Sequence, residues 1–135
     1  VEKAIKISQS KFINELENGI DSEVAQGGTN FSGGQKQRIS IARTLYKDAE
    51  IMIFDDSFSA LDYKTDMLVR KGIKKHLKDV TFIIVSQRIG TIMNADKIIV
   101  LDEGKIVGIG KHNDLLESCS VYKEIALSQL SKEEL

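Results

Sequence analysis

Four short segments of this sequence combine residue types and spacings suited to phosphate chemistry. The first is Phe31-Ser32-Gly33-Gly34-Gln35. Ser32 followed three residues later by Gln35 forms a capping box, which starts a helix by satisfying two backbone donors reciprocally. The box accounts for the serine and the glutamine but not for two adjacent glycines, each costing about 1 kcal/mol against alanine inside a helix. Glycines here suit a backbone that something must approach closely. Lys36 and Arg38 follow in the first turns, where the helix dipole prefers acids. Free N–H groups, bare glycines and added positive charge together suit an anion such as phosphate.

The second segment is the apolar run Ile51-Met52-Ile53-Phe54, which ends abruptly on Asp55-Asp56. Carboxylates at the C-terminal end of a buried strand lie where open α/β sheets bind ligands. One carboxylate can hold Mg²⁺ against a phosphate chain, directly or through water, and the other can orient a water. Equally, Asp56-Ser57 can simply turn the chain. The third segment is Ser59-Ala60-Leu61-Asp62, and the fourth is Ser86-Gln87-Arg88, at the end of the next apolar run, Thr81–Val85.

The elements that must position these segments are readable from hydrophobic periodicity. Phe12, Ile13 and Leu16 follow Ser10 at helical spacing, with Asn18-Gly19 as a stop, so the N-terminal stretch reads as helix. A polar loop from Ile20 to Asn30 leads into a helix over about 33–47, with Ile41 and Leu45 on its inner face. Residues 51–54 and 81–85 lack alternation, which suits parallel strands buried on both faces and lying side by side. Between them Val69, Ile73 and Leu77 mark a helix over about 66–78, whose other face carries Lys71, Lys74, Lys75 and Lys78. That stripe reads as a solvated face. Lys97–Leu101 and Lys105–Ile109 flank Asp102-Glu103-Gly104 as a β-hairpin, and two short helices follow from about Asn113. Strand, helix, strand with polar residues at the strand ends is an α/β layered arrangement.

Composition narrows the classes. The chain has 135 residues and a formal net charge of −1, without the basic excess that nucleic-acid binding needs. No apolar run approaches the ~18 residues that span a bilayer, and there is no signal-peptide pattern. The single cysteine, Cys119, forms no internal disulfide and reads as an inert structural thiol. The chain opens on Val1 within a helical pattern, which suggests a piece of something longer.

In order and spacing the four segments resemble the C-terminal part of an ATP-binding cassette (ABC) nucleotide-binding domain, most nearly the exporter branch. Residues 31–35 match the family's signature motif with Phe31 in place of leucine, 51–55 its Walker B strand, and 59–62 its D-loop. Gln87 stands at the switch-histidine position. Ser22-Glu23-Val24 resembles the exporter loop that touches the coupling helices of the transmembrane domains, and Asn94–Gly104 resembles the family's late strand and hairpin. The resemblance implies an α/β fold: the C-terminal part of a P-loop NTPase core, with parallel strands, a C-terminal hairpin and part of the helical subdomain. Residues 1–30 would belong to that subdomain, 31–117 would carry signature, Walker B, D-loop and switch, and 118–135 would form the C-terminal helix.

The resemblance further implies an ATPase using ATP and Mg²⁺ at the cytoplasmic face of the membrane, coupled to transmembrane domains and paired with a second nucleotide-binding domain. Ser32, Gly33, Gly34 and Gln35 would meet the partner's ATP, Asp62 would serve as the D-loop residue, Asp55 would hold Mg²⁺ directly or through water, and Asp56 and Gln87 would occupy the catalytic positions. Two departures stand out. Asp56 replaces the family's catalytic glutamate, setting its carboxylate back by ~1.5 Å. Gln87 can hydrogen-bond but cannot become a cation. Both resemble the degenerate site of heterodimeric exporters. No G-x-x-x-x-G-K-[ST] loop occurs within the 135 residues, and Gly110-Lys111-His112 lacks the partner glycine and the hydroxyl residue. These residues are therefore not expected to hold ATP unaided. The alternatives are a soluble ABC ATPase acting on nucleic acid or the ribosome, and a non-catalytic interaction module.

Overall fold

The chain builds two units, Val1–Val85 and Ser86–Leu135. The computed structural model describes residues 1–131, so the last four residues of the expected 118–135 helix lie outside the described residues.

The first unit is a two-stranded parallel sheet packed against helices. Its elements are α1 (Glu2–Ile7), α2 (Gly33–Tyr46), β1 (Ile51–Asp55), α3 (Tyr63–His76) and β2 (Thr81–Val85). β1 and β2 pair in parallel from Ile51↔Thr81 to Asp55↔Val85, as the two apolar runs lead one to expect. Met52 and Phe54 point into a core shared with Ile41 and Leu45 of α2, Val69 and Ile73 of α3, and Ala4 and Ile7 of α1. Phe54 also meets Phe58 and Phe82, at ring separations of 5.4 and 6.1 Å. Truncating such a buried aromatic typically costs about 3–5 kcal/mol.

The observed elements differ from the expected ones in three ways. Burial alternates along β1, with Ile51 and Ile53 60% and 63% exposed, so these 135 residues cover one face of the strand pair. Ile83 and Val85 of β2 are likewise exposed, because the core of this unit reaches only one side of the sheet. The N-terminal helix is also shorter than its pattern suggests. It ends at Ile7, where buried Ser8 donates to Ser10 Oγ at 2.7 Å and Gln9 takes a positive φ of 57°. The Phe12–Ile13 stretch is instead a 3-10 turn, Lys11–Glu15, whose Phe12 ring meets Phe31 edge-on at 6.2 Å. The third helix starts three residues earlier than periodicity indicates, because Asp62 caps it.

The second unit contains α4 (Ile89–Ile92), the antiparallel pair β3 (Ile98–Asp102) and β4 (Lys105–Gly110), α5 (His112–Ser118) and α6 (Ser120–Gln129). The two-residue turn Glu103-Gly104 closes the expected hairpin. Ile98 and Val100 pack with Ile89, Leu115, Cys119, Tyr122 and Ala126. Cys119 is buried, and a Cβ placed on Gly108 would lie 2.9 Å from its sulfur, so the glycine lets β4 close onto this helix pair. The cysteine is a packing residue, as read from sequence. His112 Nδ1 and Tyr122 Oη lie 2.8 Å apart in the same core, and burial pushes the Tyr122 phenol up.

Candidate functional site

The chemistry-bearing segments of the first unit converge where α2 begins. Ser32 Oγ accepts from the Gln35 N–H at 3.3 Å, and Gln35 Oε1 accepts from the Ser32 N–H at 2.8 Å, completing the capping box. No acidic residue lies in the first turn of α2, so the positive end of its dipole is not offset from within. Ser32 and Gly33 are exposed.

The two glycines do different things. A Cβ on Gly33 would meet only Ala60 Cβ, at an ordinary 3.7 Å. A Cβ on Gly34 would lie 3.0 Å from the Ala60 carbonyl oxygen, so this glycine admits the chain's own backbone. The close approach inferred from the paired glycines is thus, at Gly34, an internal one. The two cations are also committed within the chain. Lys36 Nζ donates to the Gly27 carbonyl at 2.9 Å. Arg38 donates to the Gln9 carbonyl at 2.8 Å and to the Gly34 carbonyl at 3.3 Å, and lies 4.7 Å over the Phe12 ring. Their charge still raises the local potential, but Arg38 is a packing residue rather than an anion ligand.

Asp55 ends β1, and Asp56 turns the chain with a left-handed φ of 47°, a conformation in which aspartate is enriched. The Asp56 N–H donates to the Val85 carbonyl at 3.1 Å, extending the β1–β2 ladder by one bond. Both aspartates are exposed. Among the described residues no group of three or more His, Cys, Asp or Glu is arranged to hold a metal. One or two carboxylates plus substrate oxygens is the usual provision for Mg²⁺, and the exposed pair fits that pattern.

Asp62 is placed as the N-cap of α3. Its two oxygens accept from the Thr65 N–H at 2.9 Å and the Thr65 hydroxyl at 2.7 Å. These bonds hold its carboxyl below the ordinary aspartate range. Between the two helix starts lies Gln37, which sequence reading missed. Its Nε2 donates to the Asp56 carbonyl at 3.1 Å and to Ser59 Oγ at 3.0 Å, while its Oε1 accepts from the Ala60 N–H at 2.8 Å. Nothing local in sequence announces these partners.

Gln87 lies in the second unit and is exposed. Its carbonyl accepts from Gln129 Nε2 at 2.8 Å, and Gln129 Oε1 accepts from the Ile89 N–H at 2.9 Å, so one side chain of α6 fixes the segment on both sides of Arg88.

The ABC transporter family model matches residues 3–59. An uncharacterized ABC transporter ATP-binding protein of Mycobacterium tuberculosis is 50% identical over 111 residues, covering 82% of this chain and 19% of that protein. An ATP-dependent lipid A-core flippase of Francisella tularensis is 42% identical over 120 residues, covering 89% of this chain and 20% of its own length. The solved structure of a bacterial Atm1-family ABC exporter with ATP bound superposes with a TM-score of 0.91 at 37% identity, over 97% of this chain and 23% of that one. The chain belongs to the ABC transporter ATP-binding family. It spans about a fifth of the length of the curated relatives it matches. Its α/β fold, with a parallel pair and a hairpin, is that of an ABC nucleotide-binding domain segment. Among the described residues no helix is long and apolar enough to cross a membrane.

Proposed function

We propose that this chain is a portion of the ATP-hydrolysing motor of an ABC exporter and works at the cytoplasmic face of the membrane. Its partners would be a second nucleotide-binding domain and the transporter's transmembrane domains. The observation that carries this reading is the start of α2. It is exposed, capped and free of acids, in a chain that superposes along nearly its whole length on an ATP-bound exporter. The Ser32 hydroxyl and the N–H groups of Gly33 and Gly34 would meet the γ-phosphate of ATP held by the partner domain, with Gln35 holding the turn through its capping-box bonds. Asp55 would hold Mg²⁺, directly or through water, against this chain's own nucleotide; bound there, the ion would neutralise phosphate charge.

Asp56 stands where the family places its catalytic glutamate, and its short carboxylate is poorly placed to orient a water. Gln87 at the switch position can hydrogen-bond to a phosphate without adding charge. Asp62, with both oxygens engaged by Thr65, shapes the D-loop by capping α3. Weakened residue types at both catalytic positions, in a chain whose signature turn is intact, support an asymmetric pair of sites, this chain completing the competent site of a different partner.

Steady-state ATPase assays on the reconstituted heterodimer test the asymmetry. Asp56→Ala should leave total turnover within about twofold, whereas Asp56→Glu combined with Gln87→His should raise it. A loss from Asp56→Ala as deep as that from disrupting the Ser32–Gln35 turn would show Asp56 to be a working catalytic base, and the asymmetric reading would fail.

A further inference from the structure

We propose that Gln37 is a positioning residue that ties the start of α2 to the Asp56–Ala60 turn, so that the chain's contributions to two nucleotide sites are set as one piece. The proposal rests on the reading of Ser32–Gln35 given under Proposed function.

Three hydrogen bonds from one carboxamide reach 19, 22 and 23 residues along the chain, and all end within a five-residue turn. They close a ring: Gln37 Nε2 donates to both the Asp56 carbonyl and Ser59 Oγ, and Ser59 Oγ itself donates to the Asp56 carbonyl at 3.0 Å. The Asp56 peptide is therefore pinned on both sides. Its N–H is held by Val85 at the end of β2 and its carbonyl by Gln37, with the residue in a left-handed conformation that needs such support. The direction in which the Asp56 carboxylate leaves the backbone follows from those two anchors.

Ala60 is fixed in the same way. Its N–H is bound by Gln37 Oε1, and its carbonyl fills the space that a side chain at Gly34 would take. The signature glycine and the D-loop alanine thus form one joint, with Gln37 as its strut. A movement of the α2 start toward or away from a nucleotide must carry Asp56 and Ala60 with it.

Glutamine suits this position chemically. It supplies two donors and an acceptor at the end of a flexible three-bond arm. Glutamate would keep the acceptor for the Ala60 N–H but set carboxylate oxygens against the Asp56 carbonyl and Ser59. Asparagine would fall ~1.5 Å short, and methionine would match the length with no polar group.

The test uses the reconstituted transporter carrying Gln37→Met or Gln37→Glu, with hydrogen exchange at the Ala60 amide, kcat and KM for Mg-ATP, and the thermal midpoint measured on each. For Gln37→Met we expect Ala60 exchange to quicken about tenfold and kcat to fall about tenfold, with KM within about twofold and Tm within a few degrees. For Gln37→Glu we expect Ala60 to stay protected while kcat still falls, because the α2 start loses its ties to the Asp56 carbonyl and Ser59 and shifts against the partner's nucleotide. The proposal is overturned if faster Ala60 exchange leaves kcat unchanged, or if kcat falls in Gln37→Met with Ala60 still protected. It is equally overturned if the loss of kcat merely follows a loss of Tm in both variants. Ala60 exchange without nucleotide reads the joint alone, and Gly33→Asp reads the α2 start alone. Full activity in Gly33→Asp would therefore sink the parent reading separately.

Discussion

Two helices of the first unit begin on residues of the family's motifs, and they treat the same electrostatic problem in opposite ways. α3 opens on Asp62, whose ionised carboxylate caps the helix, with Asp66 also in its first turn. α2 opens on Ser32, a neutral cap, with glycines next and no acid in the first turn. Each helix presents partial positive charge at its start. α3 offsets that charge with its own fixed carboxylates, whereas α2 leaves it open to an anion from elsewhere. The identity of the cap and the residues just after it thus separate a helix start that completes the fold from one suited to phosphate.

The sharpest way to break this comparison is to give α2 the electrostatics of α3. Gly33→Asp adds a carboxylate where a Cβ has room. Because an acid in the first turn favours the helix, the thermal midpoint should hold or rise slightly. ATPase activity of the reconstituted transporter should nevertheless fall about a hundredfold, the scale of losing a preorganised donor set. Activity near wild type would mean that the open start of α2 faces no phosphate.

A smaller effect separates the two glycines. Alanine normally favours a helix interior by up to about 1 kcal/mol over glycine. At Gly34 the new Cβ would press on the Ala60 carbonyl at 3.0 Å. Gly34→Ala should therefore destabilise the domain by about 1 kcal/mol in urea unfolding, while Gly33→Ala should be neutral or stabilising. Equal outcomes would remove the distinction drawn between a packing glycine and an exposed one.

At α3 the contribution of the cap depends on pH. The folded-state pKa of Asp62 is depressed by its bonds to Thr65, so its stabilisation is complete above the unfolded value and disappears as pH falls through the folded one. Asp62→Ala should lower the thermal midpoint by a few degrees at neutral pH. The gap from wild type should close below the ordinary aspartate range. A gap independent of pH would show that the side chain acts through packing alone.

The smallest expected signal sharpens the comparison from the other side. An open helix start is only part of a phosphate cradle. Isothermal titration of the 135-residue polypeptide with Mg-ATP should therefore show no micromolar binding. Micromolar affinity would mean that these residues suffice on their own.

What could be read from the sequence follows the range of the interactions. The capping box at Ser32–Gln35 was legible because its partners lie within a few residues, and the carboxylate pair at the end of β1 because it directly follows an apolar run. The hairpin was equally legible, since two short apolar runs flank a Glu-Gly turn. Arg38 was legible only as added positive charge near the start of α2, because the Gln9 carbonyl and the Phe12 ring that hold it are more than twenty residues away. Gln37 escaped notice for the same reason. The continuous apolar runs of the strands suit burial on both faces, and these residues cover one of them. The N-terminal pattern of Phe12, Ile13 and Leu16 has a helical period, yet the buried Ser8–Ser10 pair and the left-handed Gln9 interrupt it.

The clamp that Gln129 places on Gln87 and Ile89 also bears on how the protein is made. Its partners precede it by 42 and 40 residues, so the backbone from Gln87 to Ile89 cannot be finished when it leaves the ribosome. At typical synthesis rates of about 5–20 residues per second, roughly 2–8 s separate the emergence of Gln87 from that of Gln129. The β1–β2 pair and the Gln37 joint lie wholly upstream, and their partners are all available before the clamp arrives. The sequence of assembly is therefore built into the order of the chain: the carboxylate turn can set early, and the Gln87–Ile89 segment waits for α6.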